Sequence, residues 1–254
     1  MKFAIDTFLR AFILLFLLAS VVVEVHAADI ERGRTITDET TKKDVQEKIR
    51  RLFPSRKADV ERINGINLPI FRGYKLLRVA VYEWMLLEHP FMPGPGSFGM
   101  FAYGQGKLIY LNRANDNLEK ILWAERQGRV ETIDPEVMAH VLILCKLSKG
   151  AVHADLVKTS GDILSYEKDD QSDSSGYVVN KEKLARHKRN IDKPRWESRG
   201  SRQILTFYIL WGWMHDVQEL SKVTASFDRS SANVSIDKEI LESKIFDEVP
   251  DVIY

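Results

Sequence analysis

The chain has a single cysteine, Cys145, in 254 residues. One thiol cannot close an internal disulfide, which excludes a small scaffold stapled by bridges. Cys145 also sits in a strongly apolar run, where a thiol lacks the polar or cationic surroundings that make a nucleophile. Charge of one sign is missing as well: the formal net charge is +1. No global field therefore draws the protein to nucleic acid or to an acidic substrate. There is no internal repeat, and no apolar stretch of the roughly 20 residues needed to span a bilayer as a helix. Nor does any helix-like stretch carry two histidines four residues apart, the usual zinc arrangement. No metal or cofactor is expected.

What the chain does have begins at its N-terminus. Lys2 and Arg10 precede the apolar run Ala11–Val23, and Val25-His26-Ala27 offers a cleavage site. This is the layout of a cleaved signal peptide over residues 1–27. No cysteine follows the apolar run, which argues against a lipid-anchored leader. Export to a periplasm or secretion is the expected destination, with no transmembrane helix left in the mature chain. Asn233-Val234-Ser235 adds a glycosylation sequon if the host is a eukaryote.

Residues 28–62 are strongly charged. Within them Val45, Ile49 and Leu52 form a narrow apolar stripe, which predicts a peripheral helix. Residues 63–223 read as a globular, α-rich core, and 224–254 as a polar, then acidic, loosely held tail. The best-punctuated helix runs from Asp134 to Gly150. Asp134 can cap it, Pro135 suits its first position, and Lys146 and Lys149 fall in its last turn, where cations are favoured. It is apolar nearly all round and should be the central helix.

Further helices are expected over Tyr74–Glu88, from Asn112 or Asn115 to Gly128, over Ala151–Lys158 and over Gln203–Lys222. Phe98–Tyr103 and Lys107–Leu111 read as a hairpin around Gly104-Gln105-Gly106. Asp162–Tyr166 and Tyr177–Val179 read as strands. The fold class expected is therefore α+β and α-rich: one domain of four or five packed helices with one or two small β-hairpins.

Several motifs bear on chemistry. Gly94-Pro95-Gly96-Ser97-Phe98-Gly99 fits G-x-G-x-x-G, but it lacks the preceding strand and following helix that a dinucleotide loop requires, and no HRD or DFG follows as in a kinase. His140, four residues after Glu136, and His153 with Asp155 bring together metal-ligating types. A histidine paired with Glu136 is the better reading.

Glu88 closes an apolar run and is followed by Gly96-Ser97-Phe98-Gly99-Met100-Phe101. These residues resemble the turn that follows the catalytic glutamate in lysozyme-like lytic transglycosylases. Ala102 stands where that family has Gln, and His89 where it usually has Ser. The resemblance implies a peptidoglycan-cleaving enzyme with Glu88 as general acid.

The stretch Lys181–Arg202 is the most basic in the chain, with Trp196 inside it. Pro194 breaks any continuous helix, so a short helix followed by an extended segment is expected. Lys183, Arg186, Lys188, Arg189, Arg195 and Arg199 should form an anion-contacting surface that is weak and salt-sensitive. No catalytic constellation is complete outside the resemblance at Glu88. The function expected is thus an exported, non-enzymatic binding protein. Its partner would be an envelope or extracellular protein, a glycan or an anionic surface, and not nucleic acid.

Overall fold

The computed structural model describes residues 34–54, 60–66, 68, 70–81, 98–112, 115–147, 153–169, 177–213 and 216–248. Among them the fold is built on antiparallel sheets. The first sheet is a five-stranded meander of β1 (Arg34–Thr35), β2 (Val60–Ile66), β3 (Lys75–Val81), β4 (Phe98–Gly104) and β5 (Lys107–Leu111), in that spatial order. The second is centred on the long pair β9 (Arg202–Trp213) and β10 (Asp216–Asp228). Its strand β11 (Val234–Glu242) pairs with β10, and both β6 (His153–Val157) and β8 (Arg195–Arg199) pair with the free side of β9. A small third sheet joins β7 (Tyr177–Val179) to β12 (Phe246–Glu248).

Helices separate and flank these sheets. α2 (Asn117–Arg126) and α3 (Pro135–Leu142) contribute to the largest core cluster, which takes in side chains from both five-stranded sheets. Leu76, Met100 and Ala102 come from the first sheet, and Leu205, Phe207 and Val223 from the second. Leu118 and Met138 come from the helices between them. The opposite face of the first sheet, through Leu77, Val79 and Phe101, packs on Val45 and Ile49 of α1 (Glu39–Leu52). The opposite face of the second sheet, through Tyr208, Leu210 and Leu220, packs on Ile163 of α4 (Ser160–Asp169) and Leu184 of α5 (Lys181–His187). The order of layers is helix, sheet, helices, sheet, helices.

This layering overturns the α-rich expectation. A sheet covered on both faces has apolar side chains pointing both ways, so its strands read as continuous apolar runs instead of alternating ones. Lys75–Val81 is such a run: Leu76 and Leu77 are both buried, one on each side. The helix expected from Tyr74 is therefore strand β3. The helix expected over Gln203–Lys222 is the β9–β10 pair for the same reason, with Leu205, Phe207 and Ile209 on one face and Tyr208 and Leu210 on the other. Ala151–Lys158, expected as a helix, contains β6.

Asp162–Tyr166, expected as a strand, lies inside α4. The Asp162 side chain caps its start: Oδ2 accepts from Lys158 N (2.6 Å) and Thr159 N (2.8 Å), and Oδ1 accepts from the Thr159 hydroxyl (3.1 Å). The stretch taken for a loose tail supplies β11 and β12.

Other elements form where local chemistry dictates. Asp38 Oδ2 accepts from Thr41 N (3.0 Å) to start α1. Asp134 Oδ1 accepts from Glu136 N (2.9 Å) and Val137 N (3.1 Å) to start α3. The β4–β5 hairpin is tighter than expected. Gln105 and Gly106 have φ of 50° and 70°, so a two-residue turn with both residues left-handed joins the strands and suits their twist.

α1 touches the fold mainly through two side chains that are wholly buried, Val45 and Ile49, while Leu52 is 44% exposed. Ile49→Ala should cost about 2–5 kcal/mol in urea unfolding, and Leu52→Ala no more than about 0.5 kcal/mol. Equal effects of the two substitutions would mean that α1 does not dock through this stripe.

Candidate functional site

The end of α3 is irregular. The helix passes at Ile143 into a π-helical turn, Ile143–Leu147. Such turns carry an extra residue, redirect side chains and recur at functional sites. Lys146 lies in this turn and is not an exposed cation at a helix end: it is 6% exposed. Its Nζ sits 2.7 Å from Glu119 Oε1 of α2 and donates to the Asn115 carbonyl at 2.5 Å. Asn115 is itself held by its side-chain amide, which donates to Tyr110 O of β5 (3.1 Å). One lysine thus ties the π-turn to α2 and, through Asn115, to the first sheet.

Glu119 is 8% exposed, and its second oxygen, Oε2, is buried with no hydrogen-bond partner among the described residues. A buried acceptor left unpaired costs about 1–3 kcal/mol, more when charged, and so calls for an explanation. Glu119 and Lys146 line a cleft of about 350 Å³ together with Leu147, Trp211, Val234, Ile236 and Lys238. Val234, Ile236 and Lys238 reach it because alternate residues of β11 share one face of the sheet. Trp211 of β9 is on the same side. Lys238 Nζ lies 4.3 Å from the centroid of the Trp211 ring and 3.3 Å from Glu219 Oε2. Glu119 and Val234 also border a much narrower cavity of about 10 Å³ beside Trp123 and Phe227, about the size of one water.

The residues singled out in the sequence lie elsewhere. Of the basic set, Lys183 donates to the carbonyls of Lys244 (2.6 Å) and Ser243 (3.3 Å). Arg186 pairs with Glu242 (3.3 Å), which also meets His187 Nε2 (3.1 Å). Arg195 pairs with Asp192 (3.1 Å) and Glu197 (3.2 Å), and Arg199 with Glu197 (3.1 Å). Hydrogen bonding from Arg199, aided by Arg195, holds the Glu197 carboxyl below its usual range. Lys188 and Arg189 are exposed and have no partner among the described residues. The set is therefore divided between α5, the turn after it and β8. Trp196 is part of the frame: its indole donates to Ile133 O (2.9 Å) and its ring packs on Phe227.

Glu88 and most of the glycine-rich stretch lie outside the described residues. The described part of the segment before Glu88 is strand β3, not the helix that the lytic transglycosylase pattern supposes. Glu136 pairs with Lys158 (2.9 Å) instead of with His140. His140 is buried, and desolvation holds its pKa below 6.5 against the opposing pull of Glu136. Among the described residues no group of three or more His, Cys, Asp or Glu side chains is placed to hold a metal ion. Burial pushes the Cys145 thiol up to about 12, so the thiolate is suppressed at neutral pH.

No protein-family model matches the chain, and neither the curated proteins nor the solved structures searched contain a match. The cleft therefore has to be interpreted from its own chemistry. The sequence carried one signal for it, the alternation Val234-x-Ile236-x-Lys238, which is hidden once the region is taken for a tail. Nothing in the sequence near Glu119 announced its partner, 27 residues away.

The ion pair yields a stability prediction. Lys146→Met alone should cost about 3–5 kcal/mol in denaturant unfolding, because it strands a buried carboxylate. Adding Glu119→Leu to it should recover most of that loss, since a buried pair is often replaceable by apolar side chains. A loss below about 1 kcal/mol for Lys146→Met would mean that the pair is solvated.

Proposed function

We propose that the chain is an exported, non-enzymatic binding protein that seats part of its partner in the Glu119–Lys146 cleft. The observation that carries this reading is a cleft of about 350 Å³ whose lining joins the buried Glu119–Lys146 pair to Trp211, Val234 and Ile236. Polar groups of a ligand would meet the charged side of the cleft, while Trp211, Val234 and Ile236 supply apolar contact area. The lining mixes charged and apolar side chains, and about 350 Å³ is at the small end of the range usual for ligand sites.

Recognition fits better than bond cleavage. Among the described residues the cleft's lining has a single carboxylate, held by an ion pair, and no imidazole to share acid and base roles with it. Export rests on the charged, apolar and small-residue order of residues 1–27. An extracellular or envelope partner follows from it. Lys188 and Arg189 lie on another part of the surface and can add weak, screened attraction to an anionic partner.

The reading is tested by adding separated glycan, peptide and lipid fractions of a cell surface to the isotope-labelled protein. NMR follows the Trp211 indole and the amides of residues 144–147. One fraction should shift these signals saturably and be recovered chemically unchanged. Conversion of any fraction, or binding that leaves the cleft signals unmoved, would refute the proposal.

A further inference from the structure

The charges around the cleft cancel in pairs. Glu119 neutralises Lys146 at 2.7 Å, and Glu219 stands 3.3 Å from Lys238. A strongly anionic or cationic ligand would find no uncompensated charge and would lose its own hydration on entry. A purely apolar ligand would strip water from the polar side of the lining, where Glu119, Lys146 and Lys238 lie, without replacing its hydrogen bonds. What the lining asks for is a neutral molecule that carries hydroxyl or amide donors on one edge and an apolar face on another.

Resting on the binding reading above, we infer that the cleft recognises an uncharged saccharide unit. Its hydroxyls would exchange hydrogen bonds with the charged side of the lining, where Glu119, Lys146 and Lys238 lie. The C–H face of the sugar would lie on Trp211. Lys238 covers that ring at 4.3 Å, and its second partner, Glu219, can hold the ammonium when it moves aside. Lys238 is then a displaceable cover and not a contact for the ligand.

The role of Lys238 separates a neutral ligand from an anionic one. The probes are neutral di- and trisaccharides of glucose and of N-acetylglucosamine, with sialylated and sulfated saccharides for comparison. The full chain is titrated by calorimetry and by NMR of the cleft signals. At least one neutral saccharide should bind, with an affinity that barely changes between low and high salt, because no net charge is screened. Lys238→Ala should leave that affinity equal or stronger, and Trp211→Leu should weaken it by about tenfold or more. Glu119→Gln should weaken it too. Since that change can also unfold the chain, Ile236→Trp, which fills the cleft from the edge strand, gives a second means of blocking it.

Binding only by the charged saccharides, lost at high salt and in Lys238→Ala, would overturn the neutral-ligand assignment. If peptide or lipid fractions move the cleft signals and no saccharide does, the saccharide assignment fails while the binding reading stands. If nothing moves them, both fail.

Discussion

The ammonium of Lys146 is the point on which the middle of this molecule depends. It is buried between the two large sheets and has acceptors from Glu119 and from the Asn115 carbonyl. Neither charge can be removed alone without leaving the other desolvated. The pair therefore fixes the π-turn of α3 against the start of α2. The packing around it is generic: Leu, Ile, Val and Phe from two sheets would tolerate small rotations of the helices. The pair gives the layer a specific register, a role that buried ionic groups fill in some other folds.

The π-turn is the geometric partner of that constraint. A regular α-helix through residue 147 would place Lys146 in the last turn, among groups that favour an exposed cation. The wider turn carries Lys146 inward, and Cys145 and Leu147 remain buried beside it. A charged group in the core and an irregular helix would each be costly features of a protein built only for stability. Their coincidence at the edge of a cleft is the physical basis for placing function there.

How much of this could be read from the sequence depends on whether the signal is local. The Asp134 cap, the helix carrying Val45 and Ile49 and the β4–β5 hairpin each follow from residues within a few positions, and each forms, with Leu52 left exposed and the turn one residue shorter than expected. The break of the basic stretch at Pro194 into a short helix and a strand is equally local. The strands β3, β9 and β10 were not legible as strands. Both of their faces are covered, so period-two alternation is erased and length and apolarity imitate buried helices. α4 was not legible either: Ile163 and Leu164 in a short run between polar residues imitate a strand, and the Asp162 side chain that caps the helix is recognised only from its bonds to Lys158 N and Thr159 N. For the site, the limits are similar. Lys146 looks like a helix-end cation until its partner from α2 is known, and β11 supplies cleft residues only once its pairing with β10 is known. The basic residues read as one surface are distributed over α5, the turn after it and β8, and four of the six have partners within the fold.

The central claim, that Lys146 is a buried and ion-paired ammonium, can be observed directly. NMR of the lysine side-chain ammonium groups separates those that exchange protons with water quickly from those that are shielded. The account predicts a slowly exchanging ammonium signal near neutral pH that disappears in Lys146→Met and loses its protection in Glu119→Gln. If the Lys146 ammonium exchanges as fast as that of exposed Lys188, the pair is open to solvent, and the cleft loses the feature on which its interpretation rests.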